Sequence, residues 1–93
     1  MPDSAIHLAI HGRVQGVGYR AWMAGEARRL GLSGWVRNRS DGTVEAAVGG
    51  DPDKVAELLS LTRHGPSGAE VSHVDVNPCR EELSGRFSIG SSV

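Results

Sequence analysis

Between Ile6 and Leu30 the apolar spacing changes from a period of two to a helical one, and the change takes place across a single glycine-rich link, Gly12-Arg13-Val14-Gln15-Gly16-Val17-Gly18-Tyr19-Arg20. Ile6, Leu8 and Ile10 alternate with His7, Ala9 and His11, the signature of a half-buried strand. From Arg20 onward, Met23, Ala27 and Leu30 fall on one helical face, and Gly31 supplies a C-terminal stop. A strand therefore runs through a glycine loop straight into a helix. With 93 residues the chain makes one domain, 1–93, with room for a single modest core, so a two-layer fold is expected.

The remaining elements complete that arrangement. Gly34 to Arg39 and Thr43 to Val48 flank the turn signal Ser40-Asp41-Gly42 and read as a hairpin. Asp51 can cap a second helix with Pro52 in its first turn, carrying Val55, Leu58, Leu59 and Thr62 at helical spacing to about His64-Gly65-Pro66. Val71, Val74 and Val76 mark a strand whose parity changes once, which predicts a bulge. Pro78 to Ser84 is a charged loop, and Phe87 and Ile89 lie on a short last strand. The order suits an α+β, ferredoxin-like (βαββαβ) sandwich, an antiparallel sheet with two helices on one face.

The glycine link is built like an anion cradle. Glycine lets backbone N–H groups turn inward, and the first turn of a helix adds unpaired donors and partial positive charge. Arg20 is out of place there, because a cation in the first turn opposes the helix dipole unless an anion shares the site. The link thus reads as a phosphate or carboxylate pocket walled by a guanidinium; a tight glycine connection without ligand is the plainer alternative. A P-loop is excluded, since no lysine follows any glycine. Gly16-Val17-Gly18-Tyr19-Arg20-Ala21 matches the short dinucleotide fingerprint, but the chain is too short for a doubly wound sheet and its next strand enters a hairpin.

Asn38 is the second anomaly, since asparagine is depleted in strands. In the expected fold its strand pairs next to the one leading into the cradle, so Asn38 can approach the loop; as a strand-end residue it would simply start the turn at Ser40. Metal chemistry has little support: His7 and His11 lie about 13 Å apart on one strand, and His64 and His73 show no ligand spacing with Cys79. That lone cysteine rules out an internal disulfide. A net charge of -1 implies no broad attraction to nucleic acid, and neither signal peptide nor membrane span is evident, so the cytoplasm is expected.

Two segments, Ile10 to Arg20 and Gly34-Trp-Val-Arg-Asn-Arg-Ser-Asp-Gly-Thr-Val-Glu45 with Gly50 beyond, resemble the two signature segments of the acylphosphatases. The resemblance spans essentially the whole chain, including Leu30-Gly31-Leu32 and Phe87-Ser88-Ile89. It implies metal-free, cofactor-free hydrolysis of acyl phosphates to carboxylate and inorganic phosphate. It also implies that Arg20 binds the phosphoryl group, that Asn38 positions the attacking water, and that Gln15, Gly16, Val17, Gly18 and Tyr19 supply backbone N–H donors. No catalytic position departs from the pattern.

So spare a site is chemically sufficient. Phosphoryl transfer depends mainly on positioning and on stabilising charge on the equatorial oxygens. The leaving carboxylate belongs to an acid of pKa about 4 and departs unprotonated, whereas an alkoxide would need a general acid that neither motif supplies. A small-molecule acyl phosphate is then the partner, with no nucleic acid or membrane, and a monomer is the simplest state. Two rivals belong to other classes. A non-catalytic anion-binding or regulatory domain, or a piece of a larger carbamoyl-phosphate-handling protein, would keep the cradle; the chain's start and compact end favour an independent enzyme. An RNA-binding module would share the fold, but aromatics amount to 4% and no RNA-recognition run is present.

Overall fold

The computed structural model describes residues 3–93. Its elements are β1 (Ser4–Arg13), α1 (Tyr19–Arg29), β2 (Ser33–Asn38), β3 (Val44–Gly50), α2 (Pro52–Thr62), β4 (Glu70–Pro78) and β5 (Ser88–Ile89). The sheet order is β4-β1-β3-β2-β5. Leu8 and Ile10 of β1, Val44, Ala46 and Val48 of β3, Val36 of β2 and Val74 of β4 share one core with Met23, Ala24 and Ala27 of α1 and Val55 and Leu58 of α2. The period-two and helical stripes therefore meet as the α+β sandwich requires. Alternate strand residues, His7, Glu45, Trp35 and Arg37 among them, fall on the other face of the sheet.

Two expectations need correction. The four long strands are antiparallel, but β5 runs parallel to β2, so the sheet is mixed. The strand bearing Asn38 also does not lie beside β1. A crossover through α1 leaves a gap one strand wide, and β3 folds back to fill it, pairing Val44 with Ile10 on one side and Asn38 on the other.

The bulge expected in β4 is present. His11 pairs with His73 but Gly12 with Val71, leaving Ser72 as the extra residue. Only glycine fits at position 12, where a Cβ would stand 2.2 Å from the Glu70 carbonyl oxygen. The C-terminus of α1 closes as a Schellman motif: Leu32 N–H donates to the Ala27 carbonyl at 2.9 Å and Gly31 N–H to Arg28 at 3.1 Å. At the start of α2, Asp51 Oδ1 accepts from Asp53 N–H at 2.9 Å, with Pro52 in the first turn.

Candidate active site

The link between β1 and α1 opens onto a cleft of about 230 Å³ lined by Val14, Gln15, Gly16, Gly18, Tyr19, Arg20, Ala21, Asn38 and Ile89. Gly18 is the N-cap of α1 in the left-handed region (φ 78°), and its hydrogen side chain cannot cap the helix. No acidic residue occupies the first turn. The leading N–H groups of α1 thus keep their donor capacity and partial positive charge at the cleft.

Arg20 projects from that same turn. Among the described residues no carboxylate lies within salt-bridge distance of it, whereas Arg29, Arg37 and Arg39 all pair with glutamates. Arg37 and Arg39, the sequence neighbours of Asn38, are held by Glu45, with Nε–Oε1 separations of 2.7 and 3.6 Å. Among the described residues, Arg20 is the one charged side chain that lines the cleft.

Asn38 reaches the cleft although β3 separates its strand from β1. The glycine loop folds back across the end of β3, and the Gln15 side chain pins it there, Nε2 donating to the carbonyl oxygens of Arg39 at 2.8 Å and Thr43 at 2.9 Å. Asn38 Oδ1 is buried and, among the described residues, has no hydrogen-bond partner. An unpaired buried acceptor costs about 1–3 kcal/mol, and such sites tend to be retained where function uses the free atom.

The Tyr19 side chain turns inward, so only its backbone is available to the cleft. The ring is 2% exposed, packs edge-on to Trp22 at 5.3 Å, and donates its hydroxyl to the Thr62 carbonyl at 2.5 Å. Burial raises the phenol well above its ordinary pKa. Val17 packs toward Gly68 and the core and does not line the cleft. The sequence pattern left two contributors unmarked: the Gln15 side chain, whose partners are distant in sequence, and Ile89. The histidines stand elsewhere. His7 meets Glu45 at 2.7 Å, and His11 and His73 flank Asp75 at 2.9 and 2.5 Å. Among the described residues no three histidine, cysteine or carboxylate groups converge to hold a metal.

The fold and cleft define a ferredoxin-like domain whose strand-to-helix loop opens onto an arginine-walled cleft. The sequence profile of the acylphosphatases matches residues 6–89. An acylphosphatase of Acidiphilium cryptum is 59% identical over 70 residues, covering 75% of this chain and 77% of that protein. One from Rhodopseudomonas palustris is 49% identical over the full length of both. The structure of an acylphosphatase from Coxiella burnetii superposes with a TM-score of 0.90 at 34% identity, covering 95% of this chain and 93% of that one. The chain belongs to the acylphosphatase family. No helix among the described residues is long and apolar enough to cross a membrane.

Proposed function

We propose that this acylphosphatase hydrolyses acyl phosphates in the Arg20–Asn38 cleft, with the whole activity carried by a single domain. The observation that carries the assignment of roles is the pairing, in one cleft, of an arginine free of carboxylates with a buried, unpartnered asparagine oxygen.

Arg20 and the N–H groups of the 15–19 loop hold the phosphoryl oxygens. The guanidinium fork can engage two of them, and each charge-assisted bond contributes about 1.5–3 kcal/mol. Asn38 Oδ1 accepts a hydrogen bond from a water and turns the lone pair of that water toward phosphorus. Attack is in line: the water oxygen forms a bond to phosphorus while the bond to the acyl oxygen breaks, and the carboxylate leaves with the electron pair. The proton released by the water passes to the phosphate itself, so a dianionic substrate and water yield a carboxylate and dihydrogen phosphate with charge conserved. No general acid is needed for so weakly basic a leaving group.

A monomer acting in a reducing, cytoplasmic compartment completes the proposal. The lone thiol of Cys79 suits such a compartment. The deciding experiment is hydrolysis of benzoyl phosphate with a chelator present, alongside a phosphate monoester. Turnover of the anhydride alone is expected; phosphate binding without turnover would make the domain a non-catalytic anion receptor.

A further inference from the structure

Among the described residues, the cleft carries one large exposed apolar side chain that phosphate binding does not use. Ile89 is 45% exposed and shares the lining with Ala21, Arg20 and Asn38. Its placement follows from the alternation of the last strand. Phe87 and Ile89 have the same parity; Phe87 is fully buried in the core, and Ile89, two residues on, emerges at the cleft. The backbone fixes it there, with Ile89 opposite Val36 in parallel register and Gly90 N–H donating to the Val36 carbonyl at 2.8 Å.

An acyl group attached to a phosphate seated on the loop has to leave the cleft across its rim. Beyond Arg20, which faces the phosphate, the lining offers two amides, Gln15 and Asn38, and the apolar Val14, Ala21 and Ile89. Val14 is buried, so Ile89 is the largest apolar surface that an incoming group can cover. Among the described residues, the lining holds no carboxylate and no second cation with which to recognise a charged acyl group.

We infer that Ile89 is a specificity-determining residue that receives the acyl group, and that it selects mixed anhydrides with an uncharged aromatic or branched apolar acyl portion over those with a small or charged one. This rests on the phosphate placement given above. The contact removes apolar area from water on both partners. It exists equally in the ground and transition states, so it lowers KM and leaves kcat alone.

The test is steady-state kinetics of wild type, Ile89→Ser and Ile89→Leu on benzoyl and acetyl phosphate. Ile89→Ser is expected to raise KM for benzoyl phosphate about 10-fold, the low end for a lost apolar contact, and to lower the benzoyl-to-acetyl ratio of kcat/KM by about the same factor. Ile89→Leu retains the ratio. Val76→Ser, which removes another exposed apolar residue on β4, does not move it. An unchanged ratio in Ile89→Ser overturns the inference, as does an equal fall of kcat on both substrates, which would make Ile89 a support for β2. A wild type that hydrolyses neither anhydride removes the activity reading and this inference together; hydrolysis of both with an unmoved ratio removes only the role of Ile89.

Discussion

The side-chain amide of Gln15 donates to the carbonyl oxygen of Arg39 at 2.8 Å, a bond that joins the glycine loop to the residue following Asn38. Its second bond, to Thr43, reaches the far side of the same hairpin. Arg20 and Asn38 lie on elements that share no strand pairing, so this side chain helps fix the distance between the loop carrying Arg20 and the residue proposed to position water. Gln15→Ala is expected to cost about 1–2 kcal/mol for two neutral hydrogen bonds. It is also expected to lower kcat for benzoyl phosphate about 10-fold or more, since small misplacements of a positioning group are costly. Gln15→Glu sets a carboxylate against two carbonyl oxygens and is expected to be worse on both counts. Urea unfolding with kinetics on the same variants checks this; full activity in Gln15→Ala would release the residue from any positioning role.

Arg20→Lys keeps the charge but loses the planar fork. Turnover is expected to fall about 100-fold or more, the scale on which removing one oriented donor to a developing anion acts. Inhibition by inorganic phosphate should weaken as well, because in the proposed role Arg20 grips phosphoryl oxygens in both ground and transition states. Near-normal hydrolysis by Arg20→Lys would place the phosphate elsewhere.

Asn38→Ala separates function from stability. Among the described residues no protein group bonds this carbonyl, so its removal breaks no hydrogen bond within the fold and the variant is expected to unfold at about the temperature of wild type. Turnover should nevertheless drop about 100-fold, with phosphate inhibition changed far less, because the proposed positioning of water acts mainly in the transition state. Equal losses in turnover and phosphate binding would make Asn38 a ligand of the phosphate instead.

Both anomalies at this site were legible in the chain. Arg20 stood against the helix dipole, and Asn38 interrupted a strand of poor asparagine tolerance. The core was legible for the same kind of reason, since Leu8, Ile10, Met23, Ala27 and Leu58 sit on periodic stripes that local geometry dictates. The insertion of β3 between β1 and β2 was not, because hairpin spacing records which strands are joined and says nothing of which edge they add to. The same gap hid the parallel pairing of β5, and with it the arrival of Ile89 at the cleft. Gln15 carried no local mark at all; its value lies in two carbonyl groups more than 20 residues away. Tyr19 could be placed by its backbone but not by its ring, whose partner Thr62 comes from the second helix.

That ring supports a prediction of its own. Tyr19→Phe removes the donor to the Thr62 carbonyl and is expected to cost about 1 kcal/mol by denaturant unfolding. Its backbone stays in the first turn of α1, so the kinetic constants should change little. A large loss of activity with unchanged stability would mean that the hydroxyl acts in the cleft.

Acid should weaken the fold through Glu45. This carboxylate is 7% exposed on the face of the sheet away from the helices, where Arg37 Nε at 2.7 Å, His7 Nε2 at 2.7 Å and Arg39 Nε at 3.6 Å converge on it. Burial works to raise its pKa, but the hydrogen bonds from Arg37 and His7 and the charges of Arg37 and Arg39 prevail and hold it below the ordinary value. A depressed folded-state pKa means that the unfolded chain takes up the proton first. The contribution is complete above the unfolded value of about 4.3 and is lost as pH falls through the folded one. Glu45→Gln is therefore expected to be less stable than wild type at neutral pH by about 2 kcal/mol, the scale of hydrogen bonds to a charged group. Between about pH 5 and pH 3 the two proteins should converge, because wild type alone loses this contribution there. Urea unfolding of both across that range measures the difference directly; a gap that stays constant with pH would show that Glu45 is not the group responsible.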